Sequence, residues 1–397
     1  MHVGTLIVAL AIALPGTTLA QDGESDPNPD PLGSLEEPHD PFGLGFEKLA
    51  YSVGLKLVEV FDDNVFLAPA GEESDRITVA ILKARLRYGT GAGSAVANYR
   101  GRYRRFREHD EFDGMEHFFD ARGVFSVAPL RFEAGVDANA LKDPFDVLQV
   151  VGRVDSRFDR GFVKAIADFN RVDVEVEGAR ARFTLDDDGL DRGNYTRLEA
   201  GLLAAVDAWD EASAFIEFRL HETEYDEPDF GDLSLLRLVA GVRGSLTAKL
   251  RGEARVGIAR AELEEGTVFP ADDFTGPTAI VALTWVPGEK HEIRADVHRE
   301  PIESVVTGLA IVDGVRVSYR FLASPRWTVQ GMVSWDRERE SDGSNERHAF
   351  HVRGGVQWAV AEKIYADAGA LFRSADSDDA ALEYENLRLS IGLGVEW

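Results

Sequence analysis

From Leu49 to Trp397 the chain repeats one pattern, an apolar residue at every second position. Leu49, Tyr51, Val53, Leu55 and Leu57 have Ser52, Gly54 and Lys56 between them. Ala97, Tyr99, Gly101 and Tyr103 alternate with Asn98, Arg100, Arg102 and Arg104. At the end, Leu387, Leu389, Ile391, Leu393, Val395 and Trp397 alternate with Arg388, Ser390, Gly392, Gly394 and Glu396. A period of two places all the apolar side chains of a strand on one face. A helix would need them at i, i+3, i+4 and i+7, and these runs do not supply that. The expected fold class is therefore all-β.

A soluble sandwich also alternates, so length and connections must decide. These strands run to about ten to thirteen residues, whereas globular strands are usually about five or six. Short connections (Gly89–Ser94, Ala128–Leu130, Trp209–Ala212, Pro287–Lys290, Ala323–Arg326, Ala359–Lys363) take turns with long ones such as Asp62–Asp75, Arg107–Gly114, Leu141–Gly161 and Tyr225–Leu233. Trp209, Trp285, Trp327, Trp335, Trp358 and Trp397 fall near strand ends, where a membrane interface selects aromatics. Together these predict a transmembrane up-and-down antiparallel β-barrel with short periplasmic turns and long external loops. The count is about eighteen strands, with sixteen as the alternative, since Phe162–Phe183 is the least regular stretch.

Ahead of the barrel, Leu6–Leu14 form a short apolar core, and Thr18-Leu19-Ala20 supplies a small-x-small cleavage site. The core is too short for a spanning helix, which needs about twenty residues. Residues 1–20 are expected to be a signal peptide, 21–47 an acidic, Pro-rich disordered lead-in and 48–397 the barrel. An exported barrel of this kind belongs in the cell outer membrane, with lipid and lipopolysaccharide around its wall.

With 43 Lys plus Arg against 70 Asp plus Glu, the net charge of -27 argues against nucleic acid as a partner. The absence of Cys excludes disulfides and thiolate metal sites. Much of the acid lies in the long connections, as in Asp62, Asp63, Glu72, Glu73 and Asp75. A solvated rim accounts for it better than Ca²⁺ binding, because no loop has the spaced D-x-[DN]-x-[DN]-G pattern.

If the apolar face meets lipid, the lumen receives Arg100, Arg102, Arg104, Arg122, Arg180, Arg182, Arg219, Arg251, Arg255, Arg294, Arg316, Arg320, Arg353 and Arg388. Arg197, Arg237 and Arg243 join them. The acids assigned to the same faces, among them Asp120, Glu199, Glu217, Glu253 and Asp367, are fewer, so a net positive lining suited to anionic solutes is expected. Leu141–Gly161 is long and apolar enough to fold inward as a constriction.

Signals for chemistry are weak. His221-Glu222-Thr223-Glu224 lacks the second His of a zinc-protease helix, and no nucleophile motif accompanies any of the 9 His. Neither catalysis nor a cofactor or metal is expected. A pore comes first, a structural or docking barrel without flux second, and a hydrolase at the rim is remote.

Glu59-Val60-Phe61-Asp62-Asp63-Asn64-Val65-Phe66-Leu67 followed by Ser74-Asp75-Arg76-Ile77-Thr78, Leu283-Thr284-Trp285-Val286-Pro287, and the ending Tyr384 to Trp397 resemble the second β-barrel porin family of proteobacterial outer membranes. The resemblance covers about the whole barrel. It implies a passive conduit or outer-membrane component for polysaccharide, linked to capsular or exopolysaccharide production, and the arginine lining adds the expectation that the saccharide is anionic. Trp397 resembles the terminal aromatic signal read by the barrel-assembly machinery. No catalytic residue carries over.

Overall fold

The computed structural model describes residues 49–90, 92–142, 155–186, 193–209, 211–266, 272–304, 308–340 and 345–397. They form eighteen strands. These are β1 (Ala50–Asp62), β2 (Asp75–Thr90), β3 (Gly93–Phe106), β4 (Gly114–Val127), β5 (Leu130–Leu141) and β6 (Asp155–Asp168). Next come β7 (Val172–Asp186), β8 (Tyr195–Trp209), β9 (Ala212–Tyr225), β10 (Leu233–Thr247), β11 (Leu250–Leu263) and β12 (Asp272–Gly288). The last are β13 (His291–Ser304), β14 (Gly308–Ser324), β15 (Trp327–Glu340), β16 (Glu346–Ala361), β17 (Ile364–Ser377) and β18 (Tyr384–Glu396). Each pairs antiparallel with its sequence neighbours, and β1 pairs with β18, so the sheet closes on itself. Closure leaves no unpaired edge, which hydrocarbon would not tolerate.

Burial runs opposite to that of a soluble protein. On β1, Leu55 is 49% exposed while its neighbour Lys56 is 2% exposed. On β18, Ile391 is 65% exposed while Arg388 is 2% exposed. The greasy face is thus the outside, where lipid covers it, and the polar face is the interior. Trp285, Trp327 and Trp358 stand exposed at the end with short turns, and the last two stack at 5.7 Å. They mark the interface on that side.

The uncertain stretch Phe162–Phe183 resolves into β6 and β7, joined by the short turn at Phe169–Arg171 that spacing alone did not show. Another short turn, between β10 and β11, adds to the short connections expected from the sequence. The segments expected to be a signal peptide and lead-in lie outside the described residues, as does most of the expected constriction, residues 143–154. The remainder of that stretch, from Asp155, is wall and belongs to β6.

Candidate functional site

Ion pairs that skip strands show which side chains share the interior. Arg243 on β10 reaches Glu175 on β7 at 2.6 Å. Their strands lie about 14 Å apart along the wall, at about 4.8 Å per strand. Only on the concave side do side chains converge enough to close such a gap. Arg237 on β10 likewise binds Glu300 on β13. Shorter spans join Arg160 to Glu199 at 2.9 Å, Arg255 to Glu217 at 3.1 Å and Lys56 to Asp367 at 2.9 Å. The inner wall from β6 to β13 is a mesh of alternating charge.

Strand register then places the arginines named from sequence, because directly paired residues share a face. Arg100, Arg102, Arg104, Arg122, Arg219, Arg251, Arg255, Arg294, Arg316, Arg320, Arg353 and Arg388 stand on the inner face. Arg180 and Arg182 do not. They pair with Leu198 and Thr196 on the outer face. The reason is that polarity inverts along β7. Near its start Val172, Val174 and Val176 face outward, while nearer the loop end Ala181, Phe183 and Leu185 turn inward and are buried. Above the lipid belt the outside is polar surroundings and the inside is packed protein.

The inner acids also exceed those assigned from sequence. Asp62, Glu116, Glu175, Glu177 and Glu300 all point inward. Glu116 is fully buried, binds Arg102 and lies 3.6 Å from Arg104. The positive charge is instead concentrated on one panel. Lys83, Arg85 and Arg87 on β2 and Arg100, Arg102 and Arg104 on β3 form an inward basic run. Among the described residues, the only inward acid on these two strands is Asp75 at the loop end.

Residues 55–397 match the family described as "Putative beta-barrel porin 2". The chain belongs to that family. This porin resides in the outer membrane, and its family is one of channels rather than enzymes. Among solved structures, OccK2 (OpdF) of Pseudomonas aeruginosa is 10% identical, over 89% of this chain and 99% of that one, at a TM-score of 0.48. OpdK of P. aeruginosa, solved with vanillate, is 11% identical over 87% and 99%, at 0.47. A BenF-like porin from Pseudomonas fluorescens Pf-5 is 10% identical over 89% and 100%, at 0.47. No curated protein matches the sequence.

At the loop end two groups of apolar side chains are buried on the inner side of the porin's wall. Phe158, Phe183, Tyr195, Tyr225, Leu233 and Leu263 form part of a buried apolar collar on the inner face. Opposite it, the segment after β1 folds inward. Val65 is buried against Val58, Val60, Ile77 and Phe106, and Leu67 against Ala375 and Tyr384. Asn64 pins it, donating to the carbonyls of Ala68 at 2.9 Å and Glu385 at 3.0 Å. Asp62 and Asp75, read from sequence as solvated rim acids, are buried here. Asp75 accepts from the backbone N–H groups of Arg76, Arg107, Glu108 and His109, tying down the β3–β4 loop.

His291 stacks on Phe321 on the outer face, while His298 points inward 3.7 Å from Asp336. At the rim, Arg182 makes a bidentate pair with Asp226 in the β9–β10 loop. Those bonds hold the Asp226 carboxyl below its ordinary range. The pair's contribution is therefore present above the unfolded carboxylate pKa of about 3.9 and lost as pH falls through the lower folded value. Arg182→Gln should raise the Asp226 titration midpoint toward that ordinary value, as measured by NMR of labelled aspartate carboxyls; an unmoved midpoint would contradict the assignment.

Proposed function

We propose that this porin passes anionic saccharides along the basic panel of β2 and β3. The observation that carries this reading is the inward run of Lys83, Arg85, Arg87 and Arg100, all half-buried, facing a charge mesh on β6 to β13 that is largely paired within itself. An anion entering the lumen would meet cationic side chains in succession on β2 and β3, where Asp75 is the only inward acid among the described residues. Channels with low-dielectric walls focus such a field. Guanidinium groups in succession suit carboxylates spaced along a sugar chain, since each can offer two parallel donors.

Planar-bilayer recording tests the proposal. The refolded porin should prefer anions, and its current should be blocked by a short oligouronide. Replacing Lys83, Arg85 and Arg87 by Gln should reduce the anion-to-cation preference by about tenfold. Equal selectivity in wild type and variant would refute it. A second reading, a barrel without significant flux, is favoured by the apolar collar and the inward-folded segment at the mouth. It would show as a correctly folded protein with no measurable conductance.

A further inference from the structure

Not all charge on this wall faces inward. Arg76 on β2, Arg105 on β3 and Arg107 just beyond it are exposed on the outer face at the loop end. Arg107 donates its backbone N–H to the Arg76 carbonyl at 3.2 Å, so the two residues sit side by side. Arg105 lies two positions below Arg107, directly opposite Thr78. Like charges at facing positions of neighbouring strands repel and destabilise the sheet. Elsewhere on the outer face, arginines carry acids: Arg299 binds Asp313 at 2.8 Å, and Arg337 binds Glu346 at 2.5 Å. Here Glu59 is the acid in the same row, and it accepts the Thr78 hydroxyl at 2.8 Å. The nearby carboxylates of Asp75 and Asp113 are engaged by the backbone N–H groups of Arg76, Arg107 and Phe106.

The height of the cluster says what meets it. On β3 the outward residues rise from Ala95 through Ala97, Tyr99, Gly101 and Tyr103 to Arg105. Ten residues of tilted strand rise about 26 Å, which matches an apolar band about 25 Å tall. The arginines therefore begin where hydrocarbon ends, with exposed Tyr103 the next outward residue below Arg105 and exposed Phe61 directly opposite Arg76. Anionic headgroups of the outer leaflet lie at that level.

We propose that Arg76, Arg105 and Arg107 form a docking site for the phosphate groups of an outer-leaflet glycolipid of the lipid A type. The site rests on the porin's place in the membrane and is independent of what the lumen passes. Three guanidinium groups can surround a phosphate with charge-assisted hydrogen bonds, relieving their mutual repulsion. The acyl chains would lie along the apolar belt below.

Native mass spectrometry of the full chain, refolded in detergent and titrated with bisphosphorylated lipid A, its dephosphorylated counterpart or inorganic phosphate, tests this. Wild type should prefer the phosphorylated lipid by about tenfold or more. Joint replacement R76Q/R105Q/R107Q should abolish that preference, while R337Q/R339Q on β15, five strands away, should keep it. Heat-modifiable mobility on gels verifies folding. Should the triple variant fail to fold, R105Q alone should lose about threefold. The proposal is overturned if the substituted protein keeps the full preference or if wild type binds the dephosphorylated lipid equally well. Displacement of the lipid by equimolar inorganic phosphate would overturn it too, since that marks a free-anion site.

Discussion

Replacing Arg388 with methionine should destabilise the barrel by about 3–5 kcal/mol, the cost of stranding one partner of a buried ion pair. Arg388 Nε lies 2.6 Å from Asp62 Oδ2, and neither side chain is more than 2% exposed. The two residues face each other across the closure between β1 and β18. Asp62 also accepts from Asn386 Nδ2 at 2.6 Å and from the backbone N–H of Asn64 at 3.2 Å. Without the guanidinium, a carboxylate charge stays inside the wall with neutral donors only. Asp62→Asn strands the opposite charge and should cost a similar amount. Arg388→Met combined with Asp62→Leu should recover part of the loss, because removing both charges spares the desolvation that each single variant leaves uncompensated. Denaturant midpoints of the refolded proteins in one detergent measure all three. A midpoint unchanged in Arg388→Met would show that the closure does not depend on this pair.

The position of that pair shows what the sequence could and could not reveal. Alternation made the strands, their direction and the lipid face legible, because hydrocarbon imposes one rule on every outward residue it touches. Arg388 followed from that rule. Arg180 and Arg182 did not, since they lie above the belt, where β7 turns Phe183 and Leu185 inward and the rule reverses. Asp62 and Asp75 depart from the sequence expectation for a related reason. In composition they resemble a solvated loop, yet register sets both inward at the loop end of the wall. Only long-range pairing shows that Asn386 and Arg388, more than three hundred residues away, close around Asp62. The bridges from β10 to β7 and β13 were equally invisible, as they depend on curvature rather than on neighbours in sequence.

Removing the inward-folded segment after β1 should raise single-channel conductance by about twofold, since a barrel of this strand number has room for an aqueous channel once its contents are cleared. The segment is suited to excision. The Val65 N–H donates to the Glu73 carbonyl at 2.9 Å, so its two ends already meet, and residues 66–72 can be replaced by a short glycine link. Asp62 and Asn64 remain, so the closure with β18 should hold and the folded fraction should match wild type. Leu67 adopts a left-handed backbone with φ 54°, uncommon for a residue with a side chain, and this conformation accompanies its burial against Ala375 and Tyr384. A loop lying idle on the surface would have no need of such a backbone. Bilayer recordings of the excised and full-length proteins, made at one salt concentration, give the comparison. If the currents are equal, the narrowest point lies elsewhere in the channel, and this segment serves only to brace the first and last strands.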